Sequence, residues 1–275
     1  MSKLDLGPVG ITLRISADGR HLDEAAALEG LGYSAIWLRG GQIDSLSRIT
    51  EVVTATTAVP VVPGIIPVDV YAPGDVTRLY GDLQARAPGR FIAGLGGPQV
   101  PRPLQPLNDY LDQLDRGEPP VPPGRRILAA LGPRKLELAR ERAAGAVLLL
   151  VTPDYTRTAR RILGAQATLV ISQTAVLDTD AARAREAARS PLRFLAGVAG
   201  YRASFTRMGF TASDIDNLSD ELVDQLVAWG SAGTITARVN EYLQAGADQV
   251  VLTMPDNGRY PAIDSARQLA SRLPV

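Results

Sequence analysis

The chain has 275 residues, 45% of them apolar, and its 29 basic residues balance its 29 acidic ones. That length and composition suit one barrel-sized domain with a large core, and the even charge argues against nucleic-acid or membrane-surface partners, which need a basic field. With no cysteine and one histidine, His21, disulfides, thiol catalysis, thiolate metal sites and histidine-rich zinc sites are excluded.

No apolar run approaches the roughly 18 residues of a membrane-spanning helix. The opening stretch MSKLDLGPVGITLRI carries no signal-peptide pattern, so the expectation is a soluble, cytoplasmic protein. Only two lysines, Lys3 and Lys135, stand among many arginines, which reads as genome bias more than mechanism.

Short apolar runs, often β-branched, predict eight strands in order: Val9–Arg14, Ala35–Gly40, Val59–Ile66, Arg90–Gly96, Arg126–Leu131, Gly145–Val151, Thr168–Leu177 and Gln249–Met254. Several lack alternation, as strands covered on both faces do. Amphipathic stretches between them predict helices over His21–Leu31, Ser45–Thr57, Gly74–Ala87 and Pro133–Ala144. Three joints, EGLGYSAIWL, RAAGAVLLL and QAGADQVVL, predict left-handed helix stops at Gly32, Gly145 and Gly246. This rhythm demands right-handed crossovers and a parallel sheet. Eight such strands point to a (β/α)8 TIM barrel, a single domain over residues 1–275 with one continuous core. An open doubly wound sheet is the alternative. A proline-rich loop, Asp115–Arg126, and a mostly helical insertion before the last strand, Arg193–Gly246, interrupt the pattern.

Barrel chemistry sits where strands end. Here those positions are Arg14, Arg39-Gly40-Gly41, Gly64-Ile65-Ile66, Gly96-Gly97-Pro98-Gln99, Ala130-Leu131-Gly132, Val151-Thr152-Pro153 and Thr253-Met254. A rim so rich in glycine and so poor in titratable groups suits a large ligand held by main-chain N–H groups and apolar contact. Gly132-Pro133, opening a helix, is anion-ready. GLGGPQ is a second candidate ligand loop, although it is not G-x-G-x-x-G.

The stretches PGRFIAGLGG, ILAALGPRKLELARERAAGAVLLLVTPDYT and YRASFTRMGF…GADQVVL, in that order, resemble the luciferase-like monooxygenase superfamily. More narrowly, the chain looks like the F420-dependent oxidoreductases of actinobacteria. The resemblance implies a homodimeric barrel binding coenzyme F420, or FMN in other branches, with no metal. It implies a third-strand bulge at Gly64-Ile65-Ile66, often with a non-proline cis peptide, that backs the flavin ring. A cofactor phosphate arm would approach Gly96, Gly97 and Gly132.

The same resemblance marks departures. Where relatives carry an acid after the second-strand tryptophan, this chain has Arg39 and Gly40. Pro98 and Gln99 replace a Ser-His pair, Val147, Leu148 and Leu149 replace His-Pro-Tyr, and Tyr155 replaces a histidine. Candidate catalytic residues are then Arg39 and Gln99. Candidate cofactor contacts are Gly64, Ile65, Gly96, Gly97, Ala130, Leu131, Gly132, Thr152 and Tyr155.

Other residues have bland readings beside functional ones. His21 is expected to be a solvated helix-start histidine. Asp109, Asp112 and Asp115 could imitate a metal cluster but fit a solvated acidic face. Arg157, Arg160 and Arg161 could meet an anionic tail but fit a wet helix face. Tyr155 and Thr156 fit a helix start, and Trp37 and Trp229 fit core or interface. The functional expectation is a deazaflavin-dependent oxidoreductase moving hydride to or from a small organic substrate. The alternatives are an FMN-dependent monooxygenase, and a non-catalytic binding or scaffold barrel with a degenerate pocket.

Overall fold

The structure, a computed structural model, describes residues 3–40, 43–97, 103–255 and 262–274. The chain runs β1 (Val9–Leu13), α1 (Arg20–Gly30), β2 (Ile36–Arg39), α2 (Ser47–Ala55), β3 (Val61–Gly64), β4 (Ile66–Pro67), α3 (Pro73–Arg86) and β5 (Ala93–Gly96). It continues α4 (Leu104–Asp115), β6 (Arg126–Ala129), α5 (Pro133–Arg142), β7 (Gly145–Leu149), α6 (Pro153–Leu163) and β8 (Thr168–Val176). Four helices follow, α7 (Ala181–Ala196), α8 (Ala199–Arg207), α9 (Ala212–Asn217) and α10 (Asp220–Leu226). Then come β9 (Ala228–Trp229), α11 (Ala232–Gln244), β10 (Gln249–Thr253) and α12 (Ala262–Ala270).

All pairings are parallel, in the order β3-β2-β1-β10-β8-β7-β6-β5-β4, with β9 branching off β8. Strands β3 and β4 are two pieces of one stave, joined through a cis Gly64–Ile65 peptide, and Val61 bridges to Phe91. Setting β9 aside and joining β3 to β4 leaves eight staves, and the β1–β10 pairing closes them into a (β/α)8 barrel rather than an open sheet.

Strand alternation divides the apolar residues between two layers. Inward-facing Trp37, Val62, Ile127, Val147, Val170 and Val251 form one buried cluster, with Leu6 at its N-terminal end. Outward-facing Ile11, Leu38, Leu148, Ile171 and Leu252 meet the helices in a second. A third cluster, including Ala184, Leu192, Phe205 and Leu222, belongs to α7–α10. The expected single continuous core is therefore corrected: a closed sheet separates inside from outside, and the inserted helices bury their own faces together. The insertion also starts earlier than Arg193, because α7 already begins at Ala181.

Gly32 and Gly246 have the expected left-handed conformation, with φ of 92° and 103°. Gly145 does not. Its requirement is space: a Cβ there would lie 1.9 Å from the Thr168 carbonyl oxygen on β8.

Two further readings are corrected. His21 is fully buried, with Nδ1 3.3 Å from the Ser16 hydroxyl. The acidic residues of α4 do stand on a solvated face, with Asp109 and Asp115 exposed, and two of them are ion-paired there. Asp112 and Asp115 pair with Arg142 at 2.7 and 2.9 Å, and Asp115 reaches the fully buried Arg126 at 2.5 Å. Burial works to raise the Asp115 pKa, but the hydrogen bonds and charges of these arginines outweigh it and the net direction is down. Arg160 is half-buried and donates to the carbonyls of Gly164, Ala167 and Gly246 while pairing with Asp248, so it closes loops instead of facing water. Among the described residues, no helix is long and apolar enough to cross a membrane.

Candidate active site

A cavity of about 930 Å³ opens at the C-terminal ends of the staves. That is near the upper end of the roughly 300–1,000 Å³ of ligand pockets. Trp37 forms part of its floor, held by a 2.9 Å hydrogen bond from Nε1 to Gln249 Oε1. Helices α7 and α8 roof it with Pro191, Leu192, Leu195, Val198 and Tyr201. Burial pushes the Tyr201 phenol up to about 12, so it stays protonated at neutral pH.

One side of the mouth is built from small residues and backbone. Gly64, Ile65, Gly96, Gly97, Ala130, Leu131 and Gly132 all line it. The third stave crowds β5 here, and that crowding explains Gly94 and Gly96. A Cβ on Gly94 would lie 1.9 Å from the Pro63 carbonyl oxygen, and one on Gly96 2.5 Å from the Ile65 side chain. The opposite side carries hydroxyls. Thr12 on β1, Thr253 on β10, and Ser172 and Thr174 on β8 line the cavity, with Thr12 and Thr253 hydrogen-bonded at 2.8 Å.

The charged lining residues are Arg39, Lys135 and Arg207, all cationic. No carboxylate or histidine lines the cavity among the described residues. Lys135 lies in the first turn of α5, with Nζ 3.6 Å from where a Gly97 Cβ would stand. Burial holds its pKa below that of an ordinary lysine. Arg207 reaches back from α8, with Nη2 3.8 Å from the corresponding point of Gly132 and Nη1 3.4 Å from the Leu131 carbonyl oxygen. Among the described residues, none of the three cations has a carboxylate partner.

The sequence-derived candidates thus divide. Arg39 and the seven glycine-side residues share the cavity. Thr152 and Tyr155 do not line it: Thr152 caps α6 by accepting from the Tyr155 N–H, and the Tyr155 hydroxyl donates to the Leu131 carbonyl at 2.6 Å. Tyr155 thereby braces the loop that presents Gly132. Gln99 lies outside the described residues, as do Pro98 and Gly41. Arg14 is exposed and not in the lining. At the end of β7 the lining residues are Leu149 and Leu150, not Val151 to Pro153. Leu150 has a φ of 55°, so the chain turns away immediately after it.

Sequence reasoning passed over Lys135, Arg207 and three of the four hydroxyls. Lys135 had one usable signal, its place three residues after the helix-opening Gly132. Arg207 had none, because α8 arrives from the insertion, far along the chain.

Known proteins give the cavity a context. The model of the luciferase-like monooxygenase family matches residues 99–249, which is 151 of the 275 residues and more than half of the chain. Among curated proteins, none matches in sequence. Several solved structures share the fold. An F420-dependent secondary alcohol dehydrogenase in complex with an F420-acetone adduct superposes with a TM-score of 0.73 at 14% identity, covering 100% of this chain and 99% of its own. The coenzyme F420 dependent tetrahydromethanopterin reductase from Methanopyrus kandleri gives 0.72 at 15% identity, with 99% of each chain covered. The oxygenating constituent of 3,6-diketocamphane monooxygenase from Pseudomonas putida, in complex with FMN, gives 0.70 at 13%, covering 97% of this chain and 98% of its own.

Proposed function

The chain belongs to the luciferase-like monooxygenase family, and from that premise we propose that it is an oxidoreductase using a flavin-type cofactor, F420 first and FMN second, to move hydride to or from a small organic substrate. The observation that carries this reading is the charge of the cavity. A chain with equal numbers of acids and bases lines this cavity, among the described residues, with three cations and no carboxylate. Such a lining favours an anionic ligand, and both cofactors carry an anionic phosphate arm.

The residues fit that group. Lys135 and Arg207, beside Gly97 and Gly132, would hold the arm, with the uncapped start of α5 adding its dipole. Gly64 and Ile65 would back the ring, and Ala129, Val147 and Leu149 would press on it while excluding water. When bound, the cofactor would supply the hydride chemistry, and the protein would supply orientation and a dry site. Protons at the site would reside on Lys135, on Tyr201 and on the hydroxyls. The same reading carries a cytoplasmic homodimer, checked by light scattering at micromolar concentration.

A non-catalytic ligand-binding barrel is the second reading. It is favoured by the lack of a lining carboxylate or histidine among the described residues, since proton transfer near pH 7 works best with a group of matching pKa. Fluorescence titration with F420 and with FMN tests the proposal. Saturable binding of either supports it, and binding of neither moves the weight to the second reading.

A further inference from the structure

The three cations do not form one site. Lys135 and Arg207 approach the β5–β6 side of the mouth, at Gly97 and Gly132. Arg39 ends β2, where it is registered opposite Gly64 on β3, so the whole third stave stands between it and β5. Next to β2 in the barrel come β1, β10 and β8, in that order. These are the strands that bear Thr12, Thr253, Thr174 and Ser172. Thr253 and Thr174 are directly opposite in the β10–β8 register, and Ser172 lies two residues before Thr174 on the same face. Arg39 and the hydroxyls therefore make one continuous polar arc over four neighbouring staves. The remaining staves present glycine, alanine, isoleucine, leucine and valine.

We propose that this arc is the substrate subsite, and that it selects a small oxygenated carboxylate, an oxo or hydroxy acid, with the carboxylate on Arg39 and the second oxygen on the hydroxyls of Thr12, Thr253, Thr174 and Ser172. It rests on the cofactor reading above, which assigns the opposite side of the mouth to the cofactor. Arg39 has no ion-pair partner among the described residues, and a guanidinium presents a fork matched to a carboxylate. The hydroxyls supply donors as well as acceptors. Thr12 and Thr253 bond to each other, which leaves one of their two hydroxyl hydrogens to donate, and the Thr174 and Ser172 side chains have no hydrogen-bond partner among the described residues. A ligand bearing only a carboxylate would leave these donors unmatched, and a neutral ketone would leave Arg39 so. A cofactor filling the glycine side leaves room for a small molecule only.

The test uses 2-oxobutyrate, its uncharged relatives 2-oxobutyramide and butanone, and plain butyrate. Calorimetric titration is carried out on the full chain with and without saturating F420 or FMN, for the wild type, Arg39→Ala, Arg39→Lys and Thr174→Val. The expected order is 2-oxobutyrate tightest. Arg39→Ala should weaken it by about 10- to 100-fold, the loss of one charge-assisted pair, while butanone is unchanged. Arg39→Lys should restore part of the loss, and Thr174→Val should narrow the gap between 2-oxobutyrate and butyrate. If butanone binds as well as 2-oxobutyrate, or if Arg39→Ala leaves the preference intact, the assignment is wrong. Failure of both cofactors to bind would refute the cofactor reading alone, because dependence of 2-oxobutyrate binding on Arg39 is still read on the cofactor-free protein. Circular dichroism of each variant separates loss of binding from loss of fold.

Discussion

The two sides of the barrel mouth are made by opposite means. On the β5 side, function is left to backbone, because side chains do not fit: the third stave pushes its Pro63 carbonyl and Ile65 side chain into the space that Cβ atoms of Gly94 and Gly96 would occupy. On the β1–β10–β8 side the staves pair in unbroken parallel register, and ordinary side chains, Thr12, Thr253, Thr174 and Ser172, face the cavity. A main-chain surface can meet a large flat ligand closely, and at Gly96 it leaves no room for a side chain. A hydroxyl surface tolerates isosteric change and can discriminate among small ones.

The comparison is broken most severely by adding one methyl group. Gly94→Ala places a Cβ against a backbone oxygen that cannot swing aside, so we expect the variant to lose more than the usual overpacking cost of about 1–3 kcal/mol. Thermal unfolding would show this as a fall in Tm of roughly 5 °C or more, or as failure to obtain soluble protein. A variant with wild-type Tm would show that the third stave can relax, and would remove the steric basis of the glycine side.

The next effect is electrostatic. The double variant Lys135→Ala/Arg207→Ala should weaken binding of the cofactor by about 10²–10⁴-fold, two charge-assisted hydrogen bonds at about 1.5–3 kcal/mol each. Wild-type affinity should also fall as pH rises. Lys135 has its pKa lowered by burial, so it sheds its charge at a lower pH than an ordinary lysine would, and an anionic arm must restore that proton to bind. Affinity is then full below the lowered pKa and declines above it. Lys135→Arg should flatten that profile, and a wild-type pH profile identical to that of Lys135→Arg would remove Lys135 from the site.

The smallest effect sharpens the comparison from the other side. Thr174→Val, a near-isosteric change at a hydroxyl with no partner among the described residues, should leave Tm within about 2 °C and cofactor affinity within about twofold, because substitutions away from specific interactions stay near 0.5 kcal/mol. A loss as large as that of the double variant would mean that the cofactor extends across the mouth.

What was legible in the sequence follows the same division. All eight staves were readable, because runs such as GAVLLLV and QVVLTM are apolar on both faces, as barrel strands must be. The bulge at Gly64-Ile65-Ile66 was legible through family resemblance. Gly145 was correctly singled out for the wrong reason: a glycine before a strand looks the same whether it needs positive φ or room for a neighbouring carbonyl. His21 reads as wet in the sequence but is fully buried, since burial by a partner helix leaves no local mark. Composition alone marks Lys135 as genome bias, and nothing local sets Thr12, Ser172 and Thr174 apart within their predicted strands. Which face of a strand looks into a cavity depends on closure of the whole barrel.

The central claim is that the cavity grips a flavin-type cofactor by its charged arm. It is tested most directly by titrating the protein, at fixed ionic strength, with FMN and riboflavin, and with F420 and the deazaflavin chromophore that lacks its phosphate. The account predicts that at least one phosphate-bearing compound binds, that its arm-free counterpart binds about 10²-fold or more weaker, and that the gap closes in Lys135→Ala/Arg207→Ala. Equal affinity for a cofactor with and without its arm, or a gap unchanged in the double variant, would contradict it.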